Sequence, residues 1–218
     1  MDKKRIEIQQ LKNSHRYSLD AILLAEHVNP KPDSRIMDLG CGCGIISILL
    51  AQKNPTIFVM GIDIQQSLAD IARENIKQNK LENQITIACD DLRTIKGDTY
   101  ERFHKVVCNP PFRKINSGRQ NTCYEKLAAR EELSCTIDDI LNASRKLLTY
   151  MGELILIYPC ERTGEILIKM NNYNIEAKEL FHIYTQHNQP AKRVIIKGRL
   201  GAKPGIIVHP PVFTDNIS

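Results

Sequence analysis

Arg-Ile-Met-Asp-Leu-Gly-Cys-Gly-Cys-Gly-Ile-Ile-Ser-Ile-Leu-Leu-Ala-Gln, residues 35–52, decides the fold of this 218-residue chain. It reads as a short buried strand ending at Asp38, a glycine-rich turn, and then an apolar helix. Gly40, Gly42 and Gly44 let the backbone turn tightly and approach a ligand that a Cβ would keep away. The free N–H groups that open the following helix face the same space. A strand, a glycine turn and a helix in this order form a nucleotide-type binding loop. A dinucleotide loop needs Gly-x-Gly-x-x-Gly. Here the third glycine comes one residue early, at Gly44, and Ile45 occupies the position that pattern reserves for Gly or Ala.

Outward from this stretch, strand and helix alternate. Leu19 to Val28 reads as a helix capped by Ser18 and ended by Asn29-Pro30-Lys31-Pro32. Thr56–Ile62 forms a second strand, and residues 67–78 form a helix with Leu68, Ile71, Ala72 and Ile76 on one face. Gln84–Cys89 and Phe103–Cys108 are the next strands. Thr136 and Asp139 form a capping-box pattern ahead of a helix with an apolar stripe, and Glu153–Tyr158 follows as a fifth strand. Alternation of this kind means a mostly parallel sheet with helices on both faces and ligands outside the carboxyl ends of its strands. The remainder offers one helix and two strands, near Arg193–Lys197 and Ile206–His209, expected as an antiparallel pair at the sheet edge. The expected architecture is therefore α/β and Rossmann-like, with seven strands. It is read as a single domain over residues 1–218, with residues 1–34 an N-terminal extension and helix packed on it.

Composition bounds the function classes. With 42% hydrophobic and 25% charged residues, the chain has the balance of a soluble globular protein. No apolar run reaches membrane-span length, and the first residues, Met-Asp-Lys-Lys-Arg-Ile-Glu-Ile, lack the apolar core of a signal peptide. The expectation is a cytoplasmic protein, monomeric or weakly dimeric, with no membrane partner. Seven scattered cysteines make no disulfide framework, and neither Cys-x-x-Cys nor clustered histidines argue for a metal. A net charge of +5 leans weakly toward a polyanion. Two acid-free basic stretches carry more weight: Arg113, Lys114 and Arg119, and Lys192, Arg193, Lys197 and Arg199. Both are candidate phosphate contacts.

The expected strand ends carry Asp38 with its glycines, Asp63, Asp90-Asp91, and Asn109-Pro110-Pro111-Phe112. The form Asp38-x-Gly40-x-Gly42-x-Gly44 resembles motif I of class I S-adenosylmethionine-dependent methyltransferases. A ligand without a pyrophosphate suits a loop that cradles adenosine and an amino-acid tail. Asp63, 25 residues after Asp38, can accept both ribose hydroxyls. Asp91 or Asp90 can take the adenine amino group, with Asp91 preferred because apolar Leu92 follows it. Cys41 and Ile64 complete the expected cofactor shell, Cys41 as a small turn residue. Asn109-Pro110-Pro111-Phe112 is similar to motif IV of methyltransferases that modify planar nitrogens. An exocyclic amine is a poor nucleophile because its lone pair is delocalised into the ring. Two acceptors, the Asn109 side-chain oxygen and the Pro110 carbonyl, favour the pyramidal nitrogen that attacks. Proline rigidity fixes that carbonyl, and Phe112 offers a face for the base.

Three further segments carry a closer resemblance. Arg16-Tyr17-Ser18-Leu19-Asp20-Ala21, Ala129-Arg130-Glu131-Glu132, and Val194 through Pro211 look like the corresponding segments of the YfiC-type tRNA(Val) adenine-N6 methyltransferase family. That likeness spans nearly the whole chain. It implies S-adenosylmethionine as cofactor, tRNA as partner, and Arg16 and Asp20 near the methionine end of the cofactor. Glu131 stands where that family has histidine, and His104 where it has aspartate. A methyltransferase for rRNA guanine or adenine, or for protein glutamine, would share the cofactor residues. An RNA-binding protein without turnover is the reading from another class, and intact Asn109 and Phe112 speak against it.

Overall fold

The computed structural model describes residue 8, residues 19–110 and residues 135–214. Ser18, Arg16, Pro111–Lys114, Arg119 and Glu131 lie outside the described residues. Strand β1 (Arg35–Leu39) is the centre of the sheet, flanked in parallel by β2 (Phe58–Asp63) and β4 (Phe103–Cys108). β3 (Ile85–Cys89) extends one side, and β5 (Leu148–Pro159) the other. Being covered on both faces, β1 is apolar almost throughout: Ile36, Met37 and Leu39 have no exposed surface.

Helices α1 (Leu19–His27), α2 (Ile45–Lys53) and α3 (Gln66–Gln78) cover one face. Leu23 and Leu24 of α1 are buried in the same cluster as Ile46 and Leu50 of α2. Each such leucine stabilises the fold by roughly 1.5–3 kcal/mol relative to exposure. The other face takes α4 (Ile137–Leu147) and α5 (Thr163–Asn172). The capping box of α4 forms as its sequence predicts: Thr136 Oγ1 accepts from Asp139 N–H at 3.2 Å, and Asp139 Oδ2 accepts from Thr136 N–H at 2.8 Å.

The far side of the sheet departs from expectation. A long strand, β6 (Ile175–Tyr184), precedes β7 (Arg193–Leu200), and β7 is antiparallel to both β5 and β6. The short β8 (Ile207–Val208) and β9 (Val212–Phe213) pair in parallel with β6. Among the described residues the sheet thus has nine strands, in the order β3-β2-β1-β4-β5-β7-β6-β8 with β9 also on β6. The expected pairing of Arg193–Lys197 with Ile206–His209 does not occur, because β6 intervenes. The segment Ile-Glu-Ala-Lys-Glu-Leu-Phe-His-Ile-Tyr hides its period: a register shift between Ala177 and Glu179 breaks the alternation of buried residues.

Candidate active site

The carboxyl ends of β1, β2, β3 and β4 form one rim. Leu39 pairs with Cys108, so Gly40 and Asn109 leave adjacent strands side by side, roughly 5 Å apart. Three glycines carry the turn in the left-handed region, with φ of 68°, 55° and 82° at Gly40, Gly42 and Gly44. A Cβ at Gly40 or Gly42 would meet no atom within 4 Å, whereas one at Gly44 would lie 3.3 Å from the Ala72 Cβ. The first two glycines keep space open above the loop, and the third lets α3 pack against it.

The loop is tied down from below. Cys41 N–H donates to the Ile62 carbonyl at 2.9 Å, and Gly42 N–H donates to Asp63 Oδ2 at 2.9 Å. Asp63 Oδ1 accepts from Gln65 N–H at 2.9 Å, so each oxygen of this buried carboxylate takes one backbone donor and keeps acceptor capacity. Burial raises the Asp63 pKa against the pull of those two backbone bonds. The Cys41 side chain is buried against Gly61, where an added Cβ would approach its Sγ to 3.1 Å. Cys41 therefore contributes backbone, not sulfur, to the rim. Ile64, directly after Asp63, is 49% exposed and presents an apolar surface at the end of β2.

Asp38 is fully buried. Ser47 Oγ of α2 donates to its Oδ2 at 2.7 Å, while Oδ1 has no partner among the described residues. Burial raises its pKa to about 7, against the opposing Ser47 hydrogen bonds and helped by the Asp63 charge. Asn75, buried on α3, donates to the Cys43 carbonyl at 2.9 Å and braces the loop from its outer side. Sequence reasoning missed both Ser47 and Asn75. A polar residue on the apolar stripe of a helix, as Asn75 is beside Ala72 and Ile76, was the available signal.

The two acids after β3 have different surroundings. Tyr100 O–H donates to Asp90 Oδ2 at 2.6 Å, and Asp91 N–H donates to Asp90 Oδ1 at 2.8 Å. Asp91 takes a forked pair of bonds from the Arg93 guanidinium, which holds its carboxyl below the usual range. Leu92 is half-buried against the second core cluster. An amino group meeting Asp91 would share it with Arg93.

The second basic stretch is not one patch. β7 runs antiparallel to β5, with Arg193 opposite Pro159 at the rim and Arg199 opposite Glu153 at the other end, roughly 20 Å away. Lys192 is exposed at the rim. Arg193 Nε donates to Asp20 Oδ2 at 2.9 Å. Lys197 Nζ lies 3.3 Å from Glu179 and 4.9 Å from the Phe181 ring centroid. Arg199 pairs with Glu153 at 2.6 Å, and Lys105 pairs with the same carboxylate. Lys197 and Arg199, expected as RNA contacts, are thus partnered side chains away from the rim. His104 also lies at the far end, accepting from Arg35 N–H at 3.0 Å, so its departure from the family pattern is remote from the site.

A model of the methyltransferase small domain matches residues 17–185, most of the chain, including the carboxyl ends of β1, β2, β3 and β4. The chain belongs to the methyltransferase small domain family. Among curated relatives, a Porphyromonas gingivalis protein named tRNA1(Val) (adenine(37)-N6)-methyltransferase is 29% identical over 205 residues, covering 90% of this chain and 79% of that one. A Histophilus somni protein of the same name is 33% identical over 161 residues, covering 72% of this chain and 66% of that one. A solved structure of a protein described as a predicted O-methyltransferase from Agrobacterium tumefaciens shares the fold, with a TM-score of 0.73 at 21% identity over 90% of this chain and 88% of that one.

This methyltransferase uses S-adenosylmethionine, and the rim fits that cofactor. The open positions above Gly40 and Gly42 form a cradle that side chains would fill, and Asp38 Oδ1, buried without a partner among the described residues, leaves a carboxyl that a cationic ligand would draw into its charged form. Among the described residues no group of His, Cys, Asp and Glu could hold a metal ion, and no helix is long and apolar enough to cross a membrane.

Proposed function

We propose that this methyltransferase modifies the N6 amine of an adenine in tRNA, next to the anticodon of a valine tRNA; the relatives are named for adenine 37 of tRNA1(Val). One observation carries the reading: Asn109-Pro110 leaves β4 directly beside the glycine loop that leaves β1. Bound there, S-adenosylmethionine supplies a methyl group on a positively charged sulfur. The chain's own residues then have two tasks, to hold the cofactor and to present the nitrogen.

Holding falls to the glycine loop and Asp63. Gly40 and Gly42 admit the cofactor against bare backbone, and Asp63 has acceptor capacity left for the two ribose hydroxyls. Exposed Ile64 takes one face of the adenine, and Asp91 with Leu92 takes its edge. Asp38 places negative charge near the cationic tail, the end of the cofactor to which the family resemblance also assigns Arg16 and Asp20.

Presenting the nitrogen falls to Asn109, Pro110, Pro111 and Phe112. The Asn109 amide oxygen and the Pro110 carbonyl accept the two amine hydrogens and draw the nitrogen toward a pyramidal geometry. Pro111 stiffens the turn, and Phe112 stacks on the extruded base. No strong base is needed: fixed dipoles and alignment supply most of the rate. The RNA backbone is met by Arg113, Lys114, Arg119 and Lys192. A tRNA substrate puts the enzyme in the cytoplasm.

Asn109→Ala tests this. Transfer of a labelled methyl group to unmodified tRNA should fall by at least ~100-fold, the usual scale for losing a preset dipole at a reacting centre. Cofactor affinity by calorimetry should stay within a few-fold. Activity that survives the substitution would sink the mechanism, and transfer to protein or rRNA but not tRNA would sink the substrate.

A further inference from the structure

Beyond β5 the sheet carries a feature that methyl transfer does not itself need. β6 runs in the same direction as β4, so its carboxyl end, at Tyr184, projects at the same rim. β9 pairs with that end, Val212 opposite Ile183 and Phe213 opposite Tyr184. Three rings gather there. Phe213 lies 5.6 Å from Tyr184 between ring centroids and 3.9 Å from His187, the latter pair stacked with an interplanar angle of 29°. Tyr184 and Phe213 are half-buried, and His187 is exposed.

One exposed cation stands next to them. Thr185 through Lys192, the turn between β6 and β7, contains no acidic residue, and Lys192 at its end is exposed. Lys192 N–H donates to the Ile183 carbonyl at 2.9 Å, which closes the turn at the strand end that carries Tyr184. Arg193 follows, anchored by Asp20.

Position completes the case. Three strand spacings separate β4 from β6, and Ile183 is level with Pro159, three residues past the partner of Cys108 on β5. Tyr184 therefore stands roughly 17 Å from Asn109 and Phe213, one strand further out, roughly 22 Å, both above the sheet end and a few nucleotide lengths from the site. An adenine drawn out of its stack leaves its neighbours without stacking partners, and unpaired bases take aromatic faces instead.

We propose that Tyr184, His187 and Phe213, with Lys192, form a platform that stacks an unpaired nucleotide a few positions from the target adenine. The inference rests on the RNA reading above and adds to it how the loop is held open. Stacking selects single-stranded RNA whatever its sequence, and Lys192 supplies a phosphate contact.

The test is binding and turnover with an unmodified anticodon stem-loop, using His187→Ala, which changes an exposed loop residue, and Phe213→Leu, which keeps the apolar bulk at β9. Each should raise the Kd and the KM for the stem-loop about tenfold. Binding of a fully paired duplex of equal length should not change, nor should calorimetric binding of S-adenosylmethionine. An unchanged Kd for the stem-loop in a His187→Ala protein that melts like the wild type overturns the platform. Equal losses on stem-loop and duplex would also overturn it, since they would report charge rather than stacking. Absence of any methyl transfer to RNA by the wild type overturns the substrate reading and the platform with it. Transfer by the wild type with unaltered KM in both variants overturns the platform alone.

Discussion

Asp38 shows how one residue couples stability to the cofactor. Its carboxyl faces the Asp63 carboxylate and the thiols of Cys41, Cys43 and Cys108, and burial raises its pKa to about 7. In the unfolded chain the same group titrates near the ordinary 3.8. Below about pH 4 it is protonated in both states and folding is unopposed. As pH rises toward 7 the unfolded chain loses the proton while the folded chain retains it, so stability falls across that window and levels off above it. The shift corresponds to a cost on the order of 4 kcal/mol. Asp38→Asn removes this titration, so the melting temperature of the cofactor-free variant should gain on wild type between pH 4 and 7 and hold that gain above. A difference that stays flat through the window would contradict the raised pKa. A cationic ligand reverses the effect by favouring the carboxylate. Binding S-adenosylmethionine at pH 7 should therefore release about half a proton, read from calorimetry in buffers of different ionisation enthalpy, and Asp38→Asn should abolish the release. None of this was legible in the sequence. Asp38 was identifiable from its glycines, but the hydroxyl that binds one of its oxygens comes from Ser47, on the helix after the turn.

At the scale of elements, the glycine turn is a joint with two functions, separable by substitution. Gly44 has φ of 82°, and a Cβ added there would lie 3.3 Å from the Ala72 Cβ, while Gly42 has φ of 55° and a Cβ there would meet nothing within 4 Å. Alanine in the left-handed region costs roughly 1–2 kcal/mol at either position. Gly44→Ala adds a close contact with α3 and should lose more thermal stability than Gly42→Ala. Gly42→Ala should instead lose more cofactor affinity, because its methyl enters the space the turn keeps open. Melting curves and calorimetry on the two variants should show opposite rankings, and the same ranking in both would refute the division. β1 and β2 were legible as buried apolar runs ended by an acid, and β3 by the alternation of buried Ile85 and Ile87 around exposed Thr86. The antiparallel side was not. β6 carries Glu176, Lys178, Glu179 and His182 among its apolar residues, and its register shift disguises the period. Ile206–His209 looked like a full strand but contributes only the two-residue β8, with Ile207 and Val208 exposed. The site divided likewise: the glycines, Asp63 and Asn109 follow from spacing, whereas Asn75 and the Tyr184–Phe213 group depend on contacts between distant segments.

Over the whole molecule, direction along β7 decides which basic residues can reach RNA. Arg193 and Arg199 belong to one acid-free stretch of sequence, yet the strand carries them to opposite ends of the sheet. Each of these cations also has a carboxylate beside it: Arg193 has Asp20, Lys197 has Glu179, and Arg199 shares Glu153 with Lys105. Burial pushes the Glu153 carboxyl up, but Lys105 and Arg199 together pull it below its ordinary value. Its negative charge is therefore maintained, and it screens both cations from a polyanion. Lys192, exposed at the rim, keeps its charge available. A phosphate contact releases counterions, so losing one lowers the slope of log affinity against log salt by about one. Lys192→Glu should weaken tRNA binding at low salt and flatten that slope. Arg199→Glu should leave the slope as it is and lower thermal stability by about 1 kcal/mol, a modest figure because solvent around Arg199 screens the new repulsion with Glu153. Binding measured across a salt series separates the two. If Arg199→Glu flattened the slope as Lys192→Glu does, the RNA would have to wrap past the rim to the far end of the sheet. The fold would then be contacting its substrate on the side where its cations are already paired.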